Sequence, residues 1–224
     1  MLGKIVSAEG IAVDPSKVEV IQLVLPPRNT KELLRLILGQ VRWHGRMLRY
    51  LADVAVPLNN VLSLPKFEWS RECNKAFRTL KLMLAKAPIV QPPQWDLPFH
   101  IFVDALDVAI GVVLMQARVP DWFRPVYYAS RRLSSAEKNY SMTEREALGM
   151  VYAVNKFWHY LLGNKFTFHV DHSALVYLVA KQALHGKFAR WMLILTEFEF
   201  TVIHMPSKEH AILQISYHGW RPVI

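Results

Sequence analysis

A change of hydrophobic period midway along the chain constrains its fold more than any other feature of the sequence. In the upstream part, apolar residues recur at helical spacing, as they do over 76–84. Further on, Phe99, Ile101 and Val103 take every second position, which is the period of a strand. The intervening segment 87–98 holds four prolines and favours an extended connector. The sequence therefore predicts three parts: a mainly helical region at 1–90, a Pro-rich linker at 91–97 and a second domain at 98–218.

Past the linker, short apolar runs predict five strands, at 98–104, 109–116, 125–130, 166–170 and 198–204. A long amphipathic segment at 143–162 separates the third run from the fourth, and shorter helices are predicted at 173–179 and 187–197. The apolar face of the long helix comprises Ala147, Met150, Val151, Val154, Phe157, Trp158 and Leu161. A helix between two strands of one sheet requires parallel pairing and a right-handed crossover. We therefore predict an α/β fold with a mixed five-stranded sheet and flanking helices.

Composition narrows the class of protein. A hydrophobic content of 52% with 20% charged residues is typical of a folded domain. The formal charge of +9 favours a polyanionic partner, with nucleic acid first and an anionic membrane surface second, although basic domains without such a partner are common. The single cysteine, Cys73, excludes a disulfide framework and a multi-cysteine zinc site. With no apolar run of about 20 residues and no signal-peptide pattern, we expect an intracellular protein without a membrane segment.

Three carboxylates fall where this predicted fold would bring them together. Asp104 ends the first strand of the second domain, Glu146 lies in the first turn of the long helix, and Asp171 ends the fourth strand. Carboxylates that converge repel each other unless a cation neutralises them, and such hard oxygen ligands suit Mg²⁺ or Mn²⁺. The alternative is purely structural, because Asp is common in turns and acidic residues are common at helix starts.

Several segments resemble the RNase H domain of gypsy-type long-terminal-repeat retrotransposon polyproteins. They occur in the order and at the spacing of that family, at 102–116, 126–134, 139–148, 159–166 and 170–175. Segments of the upstream region, at 2–11, 66–69, 75–81 and 87–90, resemble the thumb and connection of the same family's reverse transcriptase. The resemblance implies an RNase H-like sheet preceded by a smaller thumb and connection region.

The resemblance also implies a reaction and its site. Asp104 would bridge two divalent ions, Mg²⁺ or Mn²⁺, while Glu146 would hold one of them and Asp171 would complete the ligation. The implied activity is endonucleolytic hydrolysis of the RNA strand of an RNA–DNA hybrid, so a hybrid or another nucleic-acid duplex is the implied partner. Glu144 competes with Glu146 for the ligand position, but the family places its ligand directly before an Ala-Leu pair, and Asp107 is interpreted as a turn residue.

Two departures from the family pattern bear on activity. Gln214 stands at the position of the family's fourth carboxylate, and a neutral amide supplies no charge to hold the second ion, so we expect impaired cleavage. No Asp-Asp pair of the polymerase palm occurs in this sequence, so polymerase activity is not expected from it. The alternatives to an active nuclease are a catalytically inactive nucleic-acid-binding remnant and a decayed retroelement reading frame.

A row of basic residues in the upstream region is the candidate nucleic-acid contact. Lys31, Arg35, Arg42, Arg46 and Arg49 would fall within about 60° of arc if 31–49 formed one α-helix. The resemblance assigns this region to the thumb, where such a row would contact phosphates. The alternative is a solvated helix face, which is the usual meaning of a charged row.

Overall fold

The computed structural model describes residues 3–119, 122–176 and 186–205, and the fold is given for those residues. Residues 3–90, here called the upstream block, contain a hairpin and five α-helices. These elements are β1 (Lys4–Ser7), β2 (Gly10–Val13), α1 (Pro15–Leu23), α2 (Thr30–Leu34), α3 (Leu51–Val54), α4 (Val56–Leu62) and α5 (Arg71–Ala85). Residues 99–205, here called the sheet domain, contain β3 (Phe99–Ala105), β4 (Ala109–Ala117), β5 (Phe123–Arg132), α6 (Met142–Leu161), β6 (Phe166–Val170), α7 (Lys187–Leu195) and β7 (Phe200–His204).

Three helices of the upstream block begin at residues whose side chains cap them. Asp14 accepts a hydrogen bond from the backbone N–H of Ser16 at the start of α1, and Asn29 accepts one from Glu32 in α2. Ser70 caps α5 in the same way. These side-chain oxygens satisfy N–H groups that have no partner inside a helix. The buried face of α5 then packs against α1, α2 and α4 in a separate apolar cluster.

The assumption of one helix over 31–49 is wrong. α2 ends at Leu34, a π-helical stretch follows at Arg35–Val41, and a 3₁₀ stretch occupies Arg42–Met47. Gly39 and Gly45 lower the helical propensity of this segment, and each change of helix type rotates the following residues about the axis. The basic row therefore does not lie on one face of one α-helix.

The sheet confirms the predicted α/β class. Its strand order is β5-β4-β3-β6-β7, with an antiparallel meander of β3, β4 and β5 and parallel pairing of β6 with both β3 and β7. The crossover from β5 to β6 runs through α6, which starts at a capping box formed by Ser141 and Glu144. The helix predicted at 173–179 is described only as far as Val176, and its remainder lies outside the described residues.

α6 lies close against one face of the sheet, and this closeness sets the position of the site. A Cβ atom at Gly149 would come within 2.4 Å of Val103 Cγ1, so only glycine allows this approach. Phe157 is fully buried, as its place in the apolar face predicts. Trp158 is 47% exposed, so the prediction that Trp158 belongs to the apolar face is wrong. One residue is about 100° of helical turn, which carries Trp158 away from the sheet.

The upstream block packs against the opposite face of the sheet. Met47 and Val90 join Phe102, Val113 and Tyr128 in one buried apolar cluster. The sheet is therefore covered on both faces, by α6 on one side and by the upstream block on the other. No helix in the described part of the chain is both long enough and apolar enough to cross a bilayer.

Candidate functional site

The topology of the sheet brings the three predicted carboxylates to one end. β3 and β6 pair in parallel, with Phe102 opposite His169. Asp104 and Asp171 each lie two residues beyond that pair, so they stand at the same level of the sheet. Glu146 is the fifth residue of α6, which packs on β3. Carboxyl ends of strands beside a crossover helix are where α/β proteins commonly carry their ligands.

Glu146 is fully buried, and only one of its two oxygens is satisfied. Oε1 accepts a hydrogen bond of 2.8 Å from the backbone N–H of Ala105. Oε2 is buried without a hydrogen-bond partner in the described residues. Burial raises the pKa of this carboxyl to about 8, and the negative charges of Asp171 and then Asp104 contribute to the increase. Both aspartates therefore act electrostatically on the buried Glu146.

The two neighbouring acids have structural partners. Glu144 accepts from the backbone N–H of Ser141 at 2.8 Å and pairs with Lys187 at 2.7 Å. These bonds hold the pKa of Glu144 below its usual value, with the hydrogen bond from Lys187 as the largest cause. Asp107 is mostly exposed and pairs with Arg145 at 2.7 Å, which ties the turn after β3 to α6. Of these acidic residues, only Glu146 is buried, and its pKa is raised in part by the charges of both aspartates.

Asp104 contacts two residues of the upstream block, and no sequence pattern predicts these contacts. Tyr50 Oη donates a hydrogen bond to Asp104 Oδ2. Arg49 Nη2 lies 3.9 Å from the same oxygen and donates to Tyr50 Oη at 2.6 Å. Burial, together with the charge of Asp104, raises the pKa of the Tyr50 phenol, so it remains a donor at neutral pH.

The backbone holds Tyr50 in place for this contact. Its φ of 52° lies in the left-handed region, which side chains other than Gly, Asn and Asp rarely adopt. The Tyr50 ring packs on Gly111, where an added Cβ atom would approach the ring to 2.9 Å. No periodicity or motif indicates this contact, because the two residues are 54 positions apart in the sequence.

The three carboxylates are chemically suited to a divalent cation, although their side chains do not lie close enough together to bind one. Three carboxylates offer the hard oxygens that Mg²⁺ and Mn²⁺ prefer, and the unpartnered Oε2 of Glu146 is available to a cation. Among the residues described, no three potential ligands are close enough together to hold an ion as they stand. The hydrogen bond from Tyr50 occupies one oxygen of Asp104. Gln214 lies outside the described residues.

The five predicted nucleic-acid contacts are dispersed. Lys31, Arg35 and Arg42 are exposed on successive helical stretches. Arg46 is half-buried and donates to the carbonyl of Val126 in β5 at 3.5 Å, whereas Arg49 reaches the Tyr50–Asp104 contact. The structure therefore turns Arg46 and Arg49 toward the sheet domain, and the five residues do not form one exposed row.

Sequence comparison identifies the family. Residues 94–198 match the model of the RNase H-like domain found in reverse transcriptase. The chain is 33% identical over 213 residues to the retrovirus-related Pol polyprotein from transposon 297 of Drosophila melanogaster, covering 94% of this chain and 20% of that protein. It is 27% identical over 216 residues to the transposon Tf2-3 polyprotein of Schizosaccharomyces pombe, covering 94% of this chain and 16% of that protein. The chain thus spans about a fifth or less of the length of these relatives.

Structural comparison gives the same fold. The foamy viral protease-reverse transcriptase dRH in complex with double-stranded DNA superposes with a TM-score of 0.78 at 18% identity, over 92% of this chain and 37% of that chain. The foamy viral protease-reverse transcriptase in complex with an RNA/DNA hybrid superposes with a TM-score of 0.74 at 19% identity, over 91% and 28% of the two chains. Residues 94–198 are therefore an RNase H-like domain of the reverse-transcriptase type, and the chain is similar over 94% of its length to segments of retrotransposon polyproteins.

Proposed function

We propose that this chain hydrolyses the RNA strand of RNA–DNA hybrids at a site formed by Asp104, Glu146 and Asp171. The observation that carries the proposal is the fully buried Glu146, whose unpartnered oxygen lies under the electrostatic influence of both aspartates. A buried carboxyl in such surroundings destabilises the fold unless a cation or a proton neutralises it. A buried carboxyl that destabilises the fold in this way, at the end of a parallel strand pair, is typical of a functional centre.

The residues present define how a cation would be held. RNase H-like domains generally depend on divalent metal ions. Here Asp104, Glu146 and Asp171 would be the ligands for Mg²⁺ or Mn²⁺, and two ions are expected. When bound, such ions activate a water and stabilise the leaving oxygen of a phosphodiester. The hydrogen bond from Ala105 would fix Oε1 of Glu146 and leave Oε2 to the cation.

We expect Gln214 to lower the rate of RNA cleavage. A carboxylate at that position would add a negative charge to the site, whereas an amide adds none. We therefore propose slow cleavage. We expect Gln214→Asp to raise the rate about tenfold or more with Mg²⁺, since the loss of one directly acting charged group commonly costs that much or more.

A second candidate function is nucleic-acid binding without cleavage. The engagement of Asp104 by Tyr50 and Arg49 favours it, because that contact competes with a cation for the same oxygen. In that case a hybrid would bind in a salt-dependent manner and remain intact with either metal. The foamy viral structures bound to double-stranded DNA and to an RNA/DNA hybrid support nucleic acid as the partner under both functions.

The experiment that separates the two functions is cleavage of a hybrid with an end-labelled RNA strand, with Mg²⁺ and with Mn²⁺. Wild-type protein is compared with Glu146→Gln and Asp171→Asn, and thermal melts verify that each variant folds. We expect slow cleavage by the wild type and a loss of roughly 100-fold or more in each variant. The matched control is Glu144→Gln, which removes an acid of the same helix turn and should retain most of the cleavage rate. Intact RNA in every reaction, together with hybrid binding, would support the second function.

A further inference from the structure

A cleft whose lining includes none of the three carboxylates lies where the upstream block meets β5, an edge strand of the sheet. Its volume is about 480 Å³. One wall comes from the upstream block, including Arg42, Arg46 and Asn59. The other comes from β5 and α6, the edge strand and the crossover helix. Residues of both parts of the molecule therefore form one concave surface.

Among the residues that the structure describes, all the charged side chains that line this cleft are positive. They are Arg42, Arg46, Arg131, Arg132 and Lys156. Arg131 is neutralised, because it forms two hydrogen bonds of 2.8 and 2.9 Å with Glu137. The other four form no ion pair with any residue that the structure describes.

Two of the uncompensated cations share one aromatic ring. The guanidinium of Arg46 lies 5.2 Å from the centre of the Tyr127 ring, and the ammonium of Lys156 lies 5.6 Å from the same centre. Each gains from the ring, but the two charges repel each other. Arg46 also has a buried Nε–H without a hydrogen-bond partner in the described part of the chain. An anion that enters the cleft would relieve the repulsion and accept hydrogen bonds from these donors.

The donors indicate which anion fits. Guanidinium groups match the paired oxygens of a phosphate, and Asn59 and Tyr127 add further donor groups on the same lining. The cations continue from half-buried Arg46 to exposed Arg42, Arg132 and Lys156, so the charge extends beyond the space that one phosphate needs. We propose that this cleft binds successive backbone phosphates of one nucleic-acid strand and so holds that strand against both parts of the molecule. The partner rests on the proposed function; the site itself is separate from the carboxylates.

The test measures binding without cleavage. Anisotropy of a fluorescein-labelled RNA–DNA hybrid is followed in EDTA across a series of KCl concentrations, with the full chain. The variant Arg132→Gln/Lys156→Gln removes two exposed cations that make no ion pair in the described structure, so folding should be retained. We expect its affinity to fall roughly 10- to 100-fold near 0.1 M salt and its salt slope to decrease by about 2, the value for two lost phosphate contacts.

A matched control removes the same charge elsewhere. Arg71→Gln/Lys75→Gln neutralises two exposed cations on α5, outside the cleft. The affinity of this control for the hybrid should remain within about threefold of the wild type, because the substitutions change only the long-range electrostatic field of the protein. Equal losses in the control and the cleft variant would overturn the proposal, as would wild-type affinity in the cleft variant. A mononucleotide that raises the melting temperature of the wild type as much as the hybrid does would also overturn it, in favour of a small-ligand site.

Cleavage distinguishes this inference from the proposed function. If the wild type cleaves the hybrid and the cleft variant binds it as tightly as the wild type does, the proposed cleft function is wrong and the nuclease proposal stands. If the cleft variant binds more weakly and the wild type does not cleave, the cleft proposal stands and the nuclease proposal is wrong.

Discussion

Among the carboxyl groups that the structure describes, only that of Glu146 is buried. Local stability would favour a neutral residue there, because one oxygen has no hydrogen-bond partner in the described residues and two aspartates lie near. The sequence predicts the position of Glu146 from the strand and helix order, but it does not predict this degree of burial. Burial depends on how closely α6 approaches β3, and Gly149 permits that approach.

Glu146→Gln should stabilise the metal-free protein at high pH. The carboxyl has a pKa of about 8 in the folded protein, above its ordinary 4.5. Because the folded state holds the proton more tightly, ionisation opposes folding, and the penalty grows from about pH 4.5 until it is complete above about pH 8. In EDTA at pH 9 we expect the variant to gain about 1–3 kcal/mol, seen as several degrees in Tm, and to gain much less at pH 5. An equal gain at both pH values, or a loss at pH 9, would contradict the account.

Tyr50→Phe should strengthen cation binding at the same site. The substitution removes the hydroxyl that donates to Asp104 but retains the ring that packs on Gly111. A hydrogen bond to a charged group contributes about 1.5–3 kcal/mol, so its removal should lower the Kd for Mn²⁺ about tenfold. Calorimetric titration of Mn²⁺ measures the change. Tyr50→Asn is the second variant, because Asn tolerates the left-handed backbone. Unchanged or weaker Mn²⁺ binding in both variants would show that Tyr50 does not compete with the cation.

At the scale of single elements, helix starts and strands follow from the sequence, whereas changes of helix type do not. Ser70 and Asp14 cap helices where their side chains predict, since a cap is a local interaction. The π-helical stretch at Arg35–Val41 has no such signal. Its geometry depends on tertiary packing, such as that of Val41 in the apolar cluster with Leu33 and Leu58, so the predicted basic row could not be tested from spacing alone.

An ion pair between Arg131 and Glu137 links β5 to the short turn at Glu137–Asn139. The hydrogen bond from Arg131 is the main cause that lowers the pKa of Glu137 to about 2. A lowered pKa stabilises the fold above about pH 4.5, and this contribution is lost as the pH falls through about 2. Because both side chains are partly exposed, its size should stay below about 1 kcal/mol.

Arg131→Gln should therefore lower the free energy of unfolding at pH 6 and have little effect near pH 2. Urea unfolding at the two pH values measures the difference, and NMR titration should show the pKa of Glu137 moving up toward 4.5. Arg132→Gln is the control, since its exposed side chain forms no ion pair among the described residues. A difference between wild type and Arg131→Gln that is the same at both pH values would rule out the ion pair as its source.

For the whole molecule, the sequence predicts the architecture of the sheet better than the relation between the two parts. The mixed five-stranded sheet and its parallel pairing across α6 follow from local patterns and the crossover rule. The packing of the upstream block on the sheet, and with it the contact of Tyr50, rests on residues far apart in sequence. The predicted limits of 91–97 and 98–218 for the linker and domain remain predictions.

The shared apolar cluster should make the two parts unfold together. Met47 of the upstream block is fully buried among residues of the sheet domain, including Phe102 and Tyr128. We expect Met47→Ala to cost about 2–5 kcal/mol and to retain a single transition in urea, followed by circular dichroism and tryptophan fluorescence. Leu82→Ala, at a position 56% exposed, should cost less than about 1 kcal/mol. Two separate transitions in the wild type would show that the cluster does not couple the parts.

We propose that Asp104, Glu146 and Asp171 form one metal-dependent nuclease centre, despite the contact of Tyr50 with Asp104. The most direct measurement is the single-turnover rate at which the wild type and Asp104→Asn cut the RNA strand of a hybrid with Mn²⁺. We expect slow cleavage by the wild type and a rate at least roughly 100-fold lower in Asp104→Asn. Equal rates for the two proteins, or intact RNA with a folded wild type, would show that these carboxylates do not form a nuclease site.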